Sequence, residues 1–115
     1  MKIALDYDLT YSRDPRFWQW VIRVARFFKH DVRIVTARDE RLDRTSALVE
    51  VEKYLPVIYC RGIAKKWYCA HFSEDFIPDI WVDDKPESII ANSTATPESL
   101  VDWRLVRAEG PVVLR

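Results

Sequence analysis

Asp6 and Asp8 are the first residues along the chain whose types and spacing could do chemistry. They stand one residue apart, with Thr10 two places on, directly after the short apolar run Ile3-Ala4-Leu5. In extended or gently curling backbone, side chains at i and i+2 point the same way. Both carboxylates can therefore face one small volume at the end of a strand. Held that close they repel, unless a cation or a shared proton compensates them. Taken alone, the pair also fits a solvated acidic turn. Further along come Thr36 at the end of Val32-Arg33-Ile34-Val35, the pair Lys65-Lys66, and Asp83-Asp84-Lys85-Pro86 directly after Ile80-Trp81-Val82. Clustered carboxylate oxygens suit a hard cation such as Mg²⁺, which takes one or two carboxylates together with phosphate oxygens and water. A threonine hydroxyl can donate to a phosphoryl oxygen, and a lysine offsets both phosphate and surplus acid. A carboxylate nucleophile is one route for phosphoryl transfer.

These residues can meet only if the intervening elements place them at one edge. Ile3 to Leu5, Val32 to Thr36, Val57 to Cys60 and Ile80 to Val82 read as four short, buried strands. Between them the pattern is helical. Asp14 suits an N-cap and Pro15 the first position of a helix running to about Lys29. Its expected core face is Phe17, Val21, Val24 and Phe28, widened by Trp18, Ile22 and Ala25. Arg16, Gln19, Arg23, Arg26 and His30 form a basic stripe on the other side, read as a solvated face. A second helix is expected over roughly Glu40 to Leu55, ended by Pro56, a third over Ala64 to Phe72, and a short one over Glu87 to Ala91. Thr96-Pro97-Glu98 resembles another helix start, and Pro111 to Leu114 a last strand. Strand alternating with helix predicts a three-layer, Rossmann-like α/β fold around a mostly parallel sheet. Ligands of such sheets bind beyond the carboxyl ends of the strands, where all the residues above fall.

Size and composition narrow the classes. The 115 residues are read as one domain, long enough for a core without disulfides or structural zinc. Lysine plus arginine and aspartate plus glutamate balance at 18 each, so net charge favours no polyanionic partner. Cys60 and Cys69 make neither a C-x-x-C pair nor a zinc cluster, and no signal peptide is apparent, which points to a reducing, cytoplasmic setting. No apolar run approaches the ~20 residues that span a bilayer.

The combination resembles the haloacid dehalogenase (HAD) superfamily of Mg²⁺-dependent phosphatases. The motifs that carry the resemblance are Leu5-Asp6-Tyr7-Asp8-Leu9-Thr10, Val35-Thr36-Ala37-Arg38, Lys65-Lys66 and Trp81-Val82-Asp83-Asp84-Lys85-Pro86, in order, over roughly residues 2 to 91. The resemblance implies phosphomonoester hydrolysis through an aspartyl-phosphate on Asp6. Asp8 would be the acid and base, needing a less compensated position than Asp6, and its backbone carbonyl would reach the Mg²⁺. Thr36 would hold a phosphoryl oxygen. Asp6 and Asp84 would ligate the metal directly, with Asp83 acting through water or orienting the lysine. Only one of Lys65 and Lys66, about 100° apart on a helix, can point inward, and Lys65 is favoured. Thr10 and Arg38 are candidate substrate contacts, with Arg13 and Arg61 as further surface candidates.

Too few residues separate the motifs for a cap domain, so the resemblance is to capless members with open sites. Such a site would admit a bulky phosphate ester, such as a nucleotide, a nucleic-acid end or a phosphoprotein, unless a second subunit covered it. Two other readings fit less well. A receiver-like signalling domain would place its acidic pair near the first strand and its lone acceptor later, the reverse of this chain. A cysteine phosphatase would need an arginine where Cys60 to Lys66 offers lysine. A HAD descendant that binds metal or phosphate without turnover is the remaining alternative.

Overall fold

The computed structural model describes residues 1–92. The elements expected at 96–98 and 111–114 lie outside them. Within the described residues the elements are β1 (Lys2–Leu5), α1 (Pro15–Phe27), β2 (Asp31–Thr36), α2 (Glu40–Asp43), α3 (Ser46–Glu52), β3 (Val57–Tyr59), α4 (Lys65–Phe72), β4 (Ile80–Val82) and α5 (Glu87–Ile90). The four strands form one parallel sheet in the order β3-β2-β1-β4. No helix among the described residues is long and apolar enough to cross a membrane.

Strand side chains alternate between two cores, as period two requires. On one face Leu5, Val32, Ile34 and Tyr59 pack with Ile22 of α1 and with Leu48 and Val51 of α3. On the other, Ala4, Val35 and Cys60 pack with Cys69 of α4 and with Phe76. The sheet is thus covered on both sides, which explains its near-continuous apolar strands. Arg33, the basic residue of β2, lays its guanidinium 4.7 Å from the Phe76 ring centroid and pairs with Asp75 at 3.0 Å.

Two helical readings need correction. The stretch expected as one helix over Glu40 to Leu55 is two, because Arg44 is extended and Thr45 caps a new start, its side chain accepting from Leu48 N at 3.4 Å. On α1, Ile22 is buried and Trp18, Val21 and Ala25 are half-buried, leaving Phe17, Val24 and Phe28 exposed. The expected stripe and its widening residues are adjacent arcs of one helix, and the sheet takes the second together with Val21 at their border. The basic stripe is not wholly solvated either. Gln19 donates to the Tyr11 hydroxyl at 3.2 Å and Arg26 to the Tyr54 carbonyl at 2.5 Å. The helix begins as expected, with Asp14 Oδ1 accepting from Phe17 N at 3.3 Å. It ends in a left-handed Lys29, with His30 N bonded to Ala25 O and Lys29 N to Arg26 O.

Candidate functional site

Register sets the site. Leu5 pairs with Ile34 on one side and with Val82 on the other. Asp6 N then donates to Val82 O at 2.9 Å, carrying the ladder one step further. Asp6 therefore leaves the sheet beside Asp83. The strand order reverses between β1, whose connection runs toward β2, and β4, which returns to β1's other side. This is the switch point at which parallel sheets bind ligands.

After Asp6 the chain makes one wide turn through Tyr7–Tyr11. Tyr11 N bonds to Asp6 O at 3.2 Å and Ser12 N to Tyr7 O at 2.9 Å. Leu9 occupies the left-handed region at φ 61°, its amide held by Ser12 Oγ at 3.0 Å. Thr10 is carried back over the strand end, where its hydroxyl lies 3.1 Å from Asp6 Oδ2 and 3.4 Å from Asp84 Oδ1. With one proton, it can donate to one of them at a time.

Of the two lysines, Lys65 is the one that meets the carboxylates. It is the first residue of α4, its side chain 2% exposed, and its Nζ sits 2.8 Å from Asp6 Oδ1 and 2.6 Å from Asp83 Oδ2. Lys66 is exposed. Burial drives the Asp6 carboxyl up to about 6; Lys65 opposes the rise, while Asp83 and Asp84 add to it. Burial works against the Lys65 ammonium too, but Asp6 and Asp83 outweigh it and leave its pKa raised.

Asp6, Asp83 and Asp84 each bring a carboxylate oxygen within 4.8 Å of the others, a spacing that could hold a metal ion. Three carboxylates against one ammonium leave two negative charges, which a divalent cation would balance. The cluster borders an open cavity of about 350 Å³, so water and ligand oxygens can complete a coordination shell. The residues present fit Mg²⁺, although nothing in the donor set singles it out from other hard divalent ions.

Asp8 lines the same cavity, but its carboxylate is outside that cluster. Arg38 grips it with Nη2 at 2.7 Å and Nε at 3.0 Å, while Nη1 donates to Asp43 O at 2.9 Å. The guanidinium also lies 5.3 Å from the Tyr7 ring centroid. Asp8 is thus well compensated, contrary to what its expected role asked for. Thr36 is fully buried, its Oγ accepts from Arg38 N at 3.2 Å, and Ala37 rather than Thr36 borders the cavity. Arg13 and Arg61 do not line it either. Cys60 and Cys69 are buried thiols. Burial lifts Cys60 well above its ordinary value and Cys69 to about 11, which disfavours the thiolate that a cysteine nucleophile needs.

The sequence reading missed the far wall. Glu87, Ser88, Ala91 and Asn92 line the cavity, as does Lys85. Ser88 Oγ lies 3.3 Å from Asp83 Oδ2, and Asn92 Oδ1 accepts from Ala64 N at 2.6 Å, fixing the start of α4. Ser88 follows Pro86 by two, a turn signal that could have drawn it in.

Fold and site together define an α/β protein with a buried lysine and a carboxylate cluster at the switch point of a parallel sheet. No family model, curated protein or solved structure matches the chain.

Proposed function

We propose that the protein is a capless HAD-type, Mg²⁺-dependent phosphomonoester hydrolase. The observation that carries this reading is the Asp6 carboxylate, fixed by Lys65 and Thr10 in the wall of the cavity beside Asp83 and Asp84. A carboxylate held by two donors in a cavity wall is placed to meet a phosphorus atom. A divalent cation, when bound, would supply positive charge against the phosphoryl oxygens.

In the first step an Asp6 oxygen bonds to phosphorus, the bond to the leaving oxygen breaks, and Asp8 gives that oxygen a proton. In the second, water attacks phosphorus, its proton passes to Asp8, and the Asp6–phosphorus bond breaks. Lys65 keeps Asp6 oriented and offsets charge. Arg38 orients Asp8. Thr36 acts through the turn that carries Ala37 to the cavity and Arg38 to Asp8.

Release of phosphate from an aryl phosphate, with and without chelator, tests the reading. Wild type should turn over only with metal, and Asp6→Asn should lose turnover while keeping its circular dichroism spectrum. Equal rates for the two proteins would remove Asp6 as nucleophile. The grip of Arg38 on Asp8 favours a second reading, a metal- and phosphate-binding protein without turnover. Metal binding that depends on Asp84, with no hydrolysis of any phosphomonoester, would select it.

A further inference from the structure

Lys85 is the lysine of the cavity wall that the phosphoryl chemistry leaves unused. The lining holds five carboxylates, Asp6, Asp8, Asp83, Asp84 and Glu87, but only two lysines. Lys65 is committed to Asp6 and Asp83. Lys85 is anchored through its backbone instead. Its amide donates to Asp83 Oδ1 at 2.9 Å, and its carbonyl accepts from Ser88 N at 2.9 Å and from Ser88 Oγ at 2.8 Å. Pro86 restricts the chain immediately after it. The ammonium makes no hydrogen bond or ion pair among the described residues, Glu87 included. The root of the side chain is thus fixed relative to the carboxylate cluster while its charge remains open.

The cavity, about 350 Å³, is the size of a small-ligand site and exceeds what a phosphoryl group alone fills. Its remaining wall runs from Glu87 and Ser88 of α5 to Ala91 and Asn92 just beyond it. An acidic wall repels an anionic leaving group, and Lys85 is the attraction that opposes this. We propose that Lys85 binds a second anionic group on the substrate. This deepens the hydrolase reading and rests on it: the preferred substrates are phosphomonoesters of alcohols that themselves carry a phosphate or a carboxylate.

Three matched compounds test it in the presence of Mg²⁺: 3-hydroxypropyl phosphate, propane-1,3-diol bisphosphate and 4-phosphooxybutanoate. Wild type should favour the second or third over the first by about tenfold in kcat/KM, carried by KM, as one partly screened charge pair allows. Preference for the bisphosphate alone identifies a second phosphate as the partner; preference for both identifies anions generally. The ratio should fall to about one in Lys85→Ala and survive in Lys85→Arg and in Lys66→Ala. A wild-type ratio near one, or a ratio unchanged in Lys85→Ala, overturns the proposal. If no compound is hydrolysed, the hydrolase reading fails but the anion site is still decided. Calorimetric titration of the same compounds should show the same ratio in Kd, and equal Kd values overturn it.

Discussion

Lys65 Nζ lies 2.8 Å from Asp6 Oδ1 and 2.6 Å from Asp83 Oδ2, so one buried ammonium joins the ends of β1 and β4. The Asp6 side chain is 8% exposed and that of Asp83 3%, and removing the lysine would leave both carboxylates buried without their partner. Losing one member of a buried pair costs about 3–5 kcal/mol. Urea denaturation in metal-free buffer should show Lys65→Met destabilised by that order. Lys66→Met, at an exposed position, should stay within about 0.5 kcal/mol of wild type. Equal effects would contradict the assignment of Lys65 to the site.

The carboxylate cluster predicts metal-linked stability. A ligand that binds only the folded state at a hundred times its Kd adds about 2.7 kcal/mol. Thermal melts should therefore shift upward with Mg²⁺ or Mn²⁺ and return with chelator. Asp84→Asn removes a donor that makes no ion pair among the described residues, so it should abolish the shift with little change in the metal-free melt. A full shift in that variant would place the metal elsewhere.

Under the proposed hydrolase reading, Arg38 should matter to turnover by orienting Asp8. Its guanidinium meets the carboxylate through two nitrogens while a third holds Asp43 O, a geometry lysine cannot copy. Arg38→Ala and Arg38→Lys should both lower kcat on an aryl phosphate by at least about tenfold, the loss of roughly 1.5–3 kcal/mol of charge-assisted bonding. KM should change less. Retained kcat in Arg38→Lys would mean that charge alone suffices.

Tyr59 gives a pH signature away from the site. Burial first, then its 2.5 Å bond to Glu52, pushes the phenol up to about 12. An unfolded tyrosine ionises near 10, so between those values only the unfolded chain has lost the proton. The stabilisation is complete below pH 10 and is lost as pH rises through about 12. At pH 7, Tyr59→Phe should be less stable by about 1 kcal/mol. Denaturation across the alkaline range should show that gap closing, and a constant gap would refute the shift.

Strand ends were legible because each apolar run stops abruptly at a polar residue. Ile3 to Leu5 halts at Asp6, and Ile80 to Val82 at Asp83, so their shared edge followed from parallel strands alone. The division at Thr45 was hidden because Leu48, Val51 and Leu55 all follow it, and their helical spacing says nothing about the chain from Glu40 to Arg44. The buried arc of α1 was equally hidden, since Phe17 and Trp18 are both apolar and only the sheet chooses between their sides. The pairing of Asp8 with Arg38 joins positions 30 apart, and no local pattern announces it. Thr36 was a different case. Its bond to the amide two residues on is an ordinary serine/threonine turn, readable from sequence, and it accounts for the hydroxyl without any ligand.

The strand order carries a consequence for synthesis. During synthesis β1 can pair with β2 early, but its other neighbour, β4, is the last made of the four described strands. Until then Asp6 sits on a bare flank, hydrated and without Asp83. Lys65 is translated before β4, so the cation is already present when the last strand closes over the acid. Dehydration of Asp6 is thereby postponed until its counter-charge exists, and a nascent chain halted before residue 80 lacks the partner strand that would seal it.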